Sequence, residues 1–310
     1  MAFSTPASPS VNTAVPTRRY VETSLFRRRL RVFWSSPASR LGFFVAALIV
    51  IMALVPTQAL PHNPTTPALE FANRPGFWSG DWEFPLGTDF LGRDMLSRAI
   101  YASRLTLIIN GSAVLLATVL GVLLGLMAGF YGRWVDHVIS WFIDVQLAFP
   151  VIALAIVIIA LVGGGFTGLV IVLATTSWST TARVVRGQTL SARNELYVEA
   201  ALAVGVPVRR ILLRHILPNV LSTLLAVVTY EISRLVLTES ALSFLGLGVA
   251  PPDVTWGGMI GDGRSYVYQA LWIAVLPGLL IAALVFAFNF VGDGLRDAFD
   301  PSTWVKVKYS

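Results

Sequence analysis

The chain has 310 residues, of which 55% are apolar and only 13% are charged, whereas a soluble domain has roughly 45–50% apolar and about 25% charged residues. This composition excludes an ordinary soluble protein and predicts a chain whose solvent is the lipid bilayer. The absence of cysteine excludes disulfides, thiol nucleophiles and thiolate metal sites. A net charge of +6 is compatible with nucleic-acid binding, but its distribution follows membrane orientation, so no nucleic-acid partner is expected.

The chain begins with a basic leader, residues 1–37, whose first part is rich in Ser, Thr, Pro and Ala and is predicted to be disordered. An apolar stretch near residues 38–58 follows. An uncleaved anchor is favoured over a signal peptide, because the polar leader is too long for a signal peptide and no small-residue cleavage site follows the stretch.

Five further stretches are long and apolar enough to cross a bilayer core of roughly 30 Å. The uncharged run 145–182 is too long for one crossing, and three consecutive glycines, residues 163–165, divide it in two. The fold class is therefore all-α, a polytopic integral membrane protein with six transmembrane helices in a domain over residues 38–302 and a cytoplasmic tail over 303–310. The predicted spans are residues 38–58, 105–131, 142–162, 166–184, 216–238 and 267–291.

Basic residues indicate the orientation of these spans. Six crossings place both termini on one side, and 17 of the 23 Lys and Arg residues then lie on that side, against six on the other. Because cytoplasmic loops are enriched in Lys and Arg, both termini are predicted to be cytoplasmic.

Small residues recur at every fourth position of the second span. Such a ridge lets another helix backbone approach closely, which is how helices associate in lipid. The alternative is that glycine is simply common in membrane helices. The ridge consists of Ala113, Ala117, Gly121, Gly125 and Gly129.

Catalytic motifs are missing from the sequence. A P-loop requires a lysine that follows glycine, whereas the only lysines are Lys306 and Lys308, which both follow valine. The three histidines are dispersed, and no nucleophile or metalloprotease motif is present. The chain is not expected to be an enzyme, and no metal site is predicted.

The loop between the fourth and fifth spans, residues 187–215, carries the most specific pattern. Ser191 or Asn194 is expected to cap a helix, and Gly205 and Pro207 are expected to end that helix and begin a second one, with positive φ at the glycine. The first helix carries an apolar stripe at helical spacing, formed by Leu196, Ala200, Ala203 and Val204. On composition alone, these helices are also compatible with an interfacial position on anionic membrane lipid.

This loop resembles the EAA loop of ABC importer permeases. The resemblance lies in the spacing of Glu199, Ala200, Ala201, Gly205, His215, Leu217 and Pro218. It implies that the loop forms the coupling helix that docks into an ATPase subunit, with Arg209, Arg210 and Arg214 beside it. Two departures are His215, at a position where an aliphatic residue is frequent, and Pro207 just after the glycine.

Four further strings narrow the resemblance to the C-type permease subunit of the dipeptide, oligopeptide and nickel importer family. They lie at residues 86–98, 144–150, 242–257 and 292–301. The resemblance implies a type I-like transmembrane domain in a prokaryotic plasma (inner) membrane. It also implies a homologous B-type permease subunit, two ABC ATPase subunits that bind ATP and Mg, and an extracytoplasmic solute-binding protein. It implies no cofactor in this chain, and leaves open which peptide or other small solute is carried.

The main alternative is an ion- or proton-coupled secondary transporter, because ionisable residues inside membranes often carry ions. Glu231 and Arg234, three residues apart on the fifth span, are its candidates, and Asp144 is a third possible residue of a translocation path. The first two residues are also compatible with a self-neutralising structural pair.

Overall fold

The computed structural model describes residues 25–299, so the start of the leader and the predicted tail lie outside the described residues. The described part is helical and contains no β-strand, which confirms the all-α class. Its α-helices are α1 (Leu25–Ser35), α2 (Pro37–Leu54), α3 (Met95–Tyr131), α4 (Arg133–Ala148), α5 (Val151–Val162), α6 (Gly165–Arg193), α7 (Leu196–Ala203), α8 (Val208–Ile211), α9 (Leu217–Phe244), α10 (Trp256–Gly263) and α11 (Trp272–Phe299).

Five helices in this part of the chain are long and apolar enough to cross a membrane. They are α2, α3, α6, α11 and the continuous helix Val208–Phe244, which contains α8 and α9. The pair α4 and α5 forms a sixth apolar segment. The helices support a polytopic membrane protein with five spans, or six if the bent pair crosses as one.

The third predicted span, residues 142–162, is not one straight helix. Its residues are divided between α4 and α5, which meet at an angle of 101°. Pro150 explains the break, since proline lacks an N–H and drives the preceding residue, here Phe149 with ψ 140°, out of the helical region. With 12 residues, α5 is about 18 Å long and too short to cross alone.

Several helices differ from the predicted spans at their ends. The first span ends at Leu54, because Val55 precedes a proline and leaves the helical region. The second begins ten residues earlier than predicted, where the Asp94 carboxylate accepts hydrogen bonds from the N–H groups of Leu96 and Ser97 and so caps α3. The fourth continues to Arg193, so the loop before α7 is much shorter than predicted.

The small-residue ridge of α3 packs against α6, as the sequence predicts. A Cβ atom added at Gly121, Gly125 or Gly129 would lie 2.6–2.8 Å from atoms of α6, including the carbonyl oxygen of Ala182 at 2.6 Å from the Gly125 position. The backbones of α3 and α6 therefore approach so closely at these glycines that no side chain would fit between them.

The remaining helices complete one bundle. α9 packs between α6 and α11, α2 packs on α11, and α10 covers the end of α9 and α11 that lies furthest from α7. Within the basic leader, α1 packs on the end of α11, with Val32 and Phe33 buried against Ala298. The part of the leader that the structure describes is thus a docked helix.

Candidate functional site

The loop between α6 and α9 bends at Gly205, and its geometry confirms the predicted positive φ. Gly205 has φ +78°. Its N–H donates to the carbonyl of Leu202 and the N–H of Val206 donates to the carbonyl of Ala201, each at 3.0 Å, which is the Schellman ending of a helix. A Cβ atom at Gly205 would meet nothing within 4 Å. The bend therefore requires glycine for its backbone angle and leaves an open surface around it.

The predicted caps of α7 are wrong. Asn194 is the C-cap residue of α6, and Glu195 is the N-cap residue of α7, whose first turn receives no hydrogen bond from a capping side chain. Because α6 continues to Arg193, neither Ser191 nor Asn194 is free to start the next helix.

The sequence suggested a second, separate short helix after the bend, but the structure has none. α8 continues through a π-helical turn, Leu212–Ile216, directly into α9. Pro218 explains the π turn, since proline cannot donate to the carbonyl four residues earlier and its ring clashes with it, and a π bulge accommodates such a defect. The loop therefore consists of one short helix, a glycine bend and the start of a 37-residue helix.

The predicted apolar stripe of α7 points away from the bundle. Leu196 is 81% exposed and Val204 is 79% exposed, and Ala200 and Ala203 are exposed as well. Val198 is instead the fully buried residue of α7, in a cluster that includes Phe130 of α3, Val185 of α6 and Ile211 of α8. Val198 and the half-buried Ala201 thus fix α7 to the bundle, while the predicted stripe remains on the surface.

The residues expected to couple to an ATPase are accessible. Glu199, Ala200, Gly205 and Pro218 are exposed or half-buried, as are Ala201 and Leu217. The cationic side chains after the bend are exposed, as is His215; they are Arg209, Arg210 and Arg214. Exposed apolar side chains beside arginines are typical of a surface that binds another protein.

An ion pair holds the neighbouring helices at this end of the bundle. Both carboxylate oxygens of Asp136 on α4 accept hydrogen bonds from Arg186 on α6, one of them at 2.8 Å from Nη2. Such a bidentate pair fixes orientation as well as distance. It keeps α4 beside the base of the exposed loop.

Glu231 and Arg234 form the pair that the sequence predicts. Oε2 of Glu231 accepts hydrogen bonds from Nε and Nη2 of Arg234 at 3.0 and 2.8 Å, and Nη2 also donates to Oγ of Ser177 on α6 at 2.9 Å. The carboxylate is 2% exposed. The pair thus neutralises two charges and links α9 to α6.

Asp144 lies apart from that pair. It forms a 2.7 Å ion pair with Arg183 of α6, and both side chains are more than half exposed. The structure therefore does not bring the three path candidates together.

Glu239 is a buried carboxylate that the sequence analysis did not identify. It is fully buried in α9 and accepts hydrogen bonds from Ser243 at 2.7 Å and from Thr255 at 2.8 Å. Thr255 caps α10, so Glu239 positions α10 on α9. The sequence did offer a signal for Glu239, since it is a charged residue next to an apolar run. The predicted fifth span, however, ended at residue 238, one residue before it.

The end of the bundle opposite α7 carries a network of charges. Oδ2 of Asp89 lies 2.7 Å from Nε of Arg93 and 3.4 Å from Nε of Arg98, and Arg98 donates to Asp262 of α10 at 3.2 Å. Burial raises the pKa of the Asp262 carboxyl above its ordinary value, against the opposing attraction of Arg98 and Arg93. The residues of the 86–98 string therefore join α3 to α10.

Removing one partner of the Glu231 pair tests whether it is structural. Glu231→Gln should lower the stability of the protein by on the order of 1–3 kcal/mol, because Arg234 loses its charged acceptor. Combining Glu231→Gln with Arg234→Met should recover much of that loss. Asp144→Asn is the matched control, and should cost less than about 1 kcal/mol because its ion pair is exposed. Thermal unfolding in detergent measures all three; equal losses at Glu231 and Asp144 would contradict the structural role.

The fold and the site define a class: a multi-pass membrane protein without a recognisable catalytic motif, with an exposed apolar helix at one end of its bundle. Residues 121–305 match the family described as "Binding-protein-dependent transport system inner membrane component". The chain is 39% identical over 278 residues to the di/tripeptide transport system permease protein DppC of Pseudomonas aeruginosa, covering 88% of this chain and 92% of that protein.

Two other relatives have similar coverage. The chain is 34% identical to the oligopeptide transport system permease protein OppC of Haemophilus influenzae, over 90% of this chain and 89% of that protein. It is 39% identical to the glutathione transport system permease protein GsiD of Pectobacterium atrosepticum, over 84% and 85% respectively.

A solved structure shares the fold. An inward-facing form of the MetNI methionine ABC transporter superposes with a TM-score of 0.54 at 20% identity, covering 66% of this chain and 98% of that chain. The chain belongs to the family of binding-protein-dependent transport system inner membrane components and is a permease subunit of an ABC importer. Family membership favours this function over a secondary transporter.

Proposed function

We propose that this permease carries short peptides and is driven by ATPase subunits that dock on α7 and the residues after Gly205. The exposed apolar stripe of α7 is the observation that carries the coupling proposal, since Leu196 and Val204 lie in water unless a partner covers them. The named substrates of the relatives, di- and tripeptides, oligopeptides and glutathione, support the peptide class.

The proposed assembly contains a homologous B-type permease, two ATPase subunits and an extracytoplasmic solute-binding protein. ATP and Mg bind to the ATPase subunits, which is consistent with a sequence that has no phosphate-binding loop. The excess of basic residues on one side supports cytoplasmic termini in the inner membrane, with α7 on the cytoplasmic side. Each ATPase would then contact one permease.

The long loop between α2 and α3 is the proposed receiving surface for the binding protein. Trp82 is 76% exposed, and Phe77 and Trp78 are also exposed, whereas Phe84 is buried. Exposed aromatic side chains favour protein interfaces. Their position at the end of the bundle opposite α7 fits a partner on the other side of the membrane.

The continuous helix Val208–Phe244 gives the coupling a mechanical basis. A displacement of α7 acts on the first turns of this helix, because Val198 of α7 is buried in one cluster with Ile211 and Ile216. The same helix carries Glu231 and Arg234 further along its length. Movement imposed by an ATPase would therefore reach the interior of the membrane domain through one helix.

Uptake by the reconstituted complex tests this function. Proteoliposomes that contain this chain, the B-type permease and both ATPases should accumulate dialanine only with ATP and the binding protein. Omitting the ATPases should abolish uptake. Uptake that is driven by a proton gradient without any ATPase, and that is lost in Glu231→Gln, would instead establish the secondary transporter.

A further inference from the structure

A cavity of about 680 Å³ lies between α6, α9 and α11 and takes no part in the coupling surface. Most of its lining side chains are polar, and they include Thr180 of α6, Ser222 and Tyr230 of α9, and Asn289, Asp293 and Arg296 of α11. Its volume lies within the range of roughly 300–1,000 Å³ that is typical of small-molecule sites.

Asn289, Asp293 and Arg296 place amide and charged groups in a cavity that also has apolar lining residues, such as Val184 and Val227. Elsewhere the exposed faces of the spans are apolar, for example Phe44 on α2 and Leu115 and Leu123 on α3. Amide and charged groups that face hydrocarbon each cost free energy because nothing there satisfies them. Asp293 and Arg296 lie beyond the predicted end of the sixth span at residue 291, so the cavity opens to water at that end of α11.

The cavity lies next to the Glu231–Arg234 pair, one helical turn away on both α6 and α9. Arg234 bridges to Ser177, which precedes Thr180 by one helical turn, and Tyr230 precedes Arg234 by one turn on α9. The hydrogen bond between Arg234 and Ser177 joins α6 to α9 just beyond the cavity. Polar groups thus extend from this bridge to the end of the bundle that carries α7.

Charges of both signs are available in the cavity. Asp293 and Arg296 are exposed, lie one turn apart on α11, and form no ion pair within residues 25–299. Side chains at this spacing are about 5–6 Å apart, and the two ends of a dipeptide are separated by roughly 6–7 Å. No group of three or more His, Cys, Asp or Glu residues in the described chain could hold a metal ion, so the chemistry favours a zwitterion over a metal cation.

We infer that this cavity is a solute site on the translocation path, in which Asp293 binds the ammonium group and Arg296 the carboxylate of a short peptide. Asn289 and the hydroxyl groups bind the peptide bond between them. The inference depends on the proposed function, since it assigns the peptide a place within that importer. Its two charged residues belong to the string at residues 292–301, which has no role in the proposed coupling to the ATPases.

Thiol labelling tests the site, because the native chain has no cysteine. Thr180→Cys and Asn289→Cys would be introduced into the complete transporter in inside-out vesicles and treated with a charged, membrane-impermeant thiol reagent. The matched control is Leu225→Cys, which lies on α9 beside cavity residues, is exposed, and does not line the cavity. Both cavity cysteines should react at least about tenfold faster than the control, since a charged reagent does not enter lipid.

Protection by peptides tests the ligand chemistry. Dialanine should slow labelling of Asn289→Cys, whereas N-acetyl-dialanine amide, which lacks both charges, should not. Asp293→Asn should remove the protection, and Arg296→Gln should remove it as well. Unreactive cavity cysteines in a transporter that still takes up dialanine would mean that a partner subunit fills the groove, and would overturn the inference while leaving the proposed function intact. Equal protection by both compounds would overturn the charge assignments.

Discussion

Gly125→Val should prevent α3 and α6 from packing at their present separation and should lower the stability of the membrane domain by about 3 kcal/mol or more. The added Cβ atom alone would lie 2.6 Å from the carbonyl oxygen of Ala182 and 2.8 Å from Cβ of Val185. Backbone atoms of a long helix cannot move aside locally, so the whole of α6 must shift. Thermal unfolding of the purified protein, and the yield of inserted protein, measure the effect.

Gly111 provides a control in the same helix. A Cβ atom there would meet nothing within 4 Å, so Gly111→Val carries the same change in helix propensity without the clash. We expect Gly111→Val to insert and unfold like the unchanged protein. If Gly125→Val were equally stable, the close contact between α3 and α6 would be wrong.

Gly205→Val should separate ATP hydrolysis from transport. A β-branched residue at φ +78° is strained by on the order of 1–3 kcal/mol, and the strain can be relieved by rotating α7 about the bend. The membrane domain should remain folded, because no atom lies within 4 Å of the new Cβ. The permease should then insert normally but either lose its ATPases during purification or fail to stimulate them with substrate.

Two variants make the Gly205 test specific. Gly187→Val adds the same side chain to an exposed helical glycine on α6 that has open space around it, and should leave coupling unchanged. Gly205→Asn should retain much of the coupling, because asparagine tolerates positive φ better than valine does. ATPase retention and wild-type transport in Gly205→Val would show that the bend does not position the docking helix.

The sequence alone determined the solvent and the class of this protein, and the glycine bend of its loop between α6 and α9. The uncharged runs form helices long enough to cross a bilayer, which makes lipid their solvent. The repeat of small side chains at every fourth position between residues 113 and 129 specifies a close contact with another helix. The positive φ of Gly205 was predictable in the same way, since a glycine between two helical patterns is typical of a backbone conformation that other residues adopt only with strain. Each of these features is determined by residues that are close together in the sequence, so a sequence pattern is sufficient to predict it.

Tertiary structure decided which side chains meet. The apolar stripe of α7 was predicted correctly as a stripe, but only packing showed that Val198 faces the bundle while Leu196 and Val204 do not. Glu239 was outside the predicted span, and its role arises from Thr255, sixteen residues away at the N-cap of α10. Asp144 and Arg234 look alike in sequence as charges near the membrane, yet each is paired with a different residue of α6. Contacts of this kind depend on the register between neighbouring helices, which the spacing of residues within one helix does not specify.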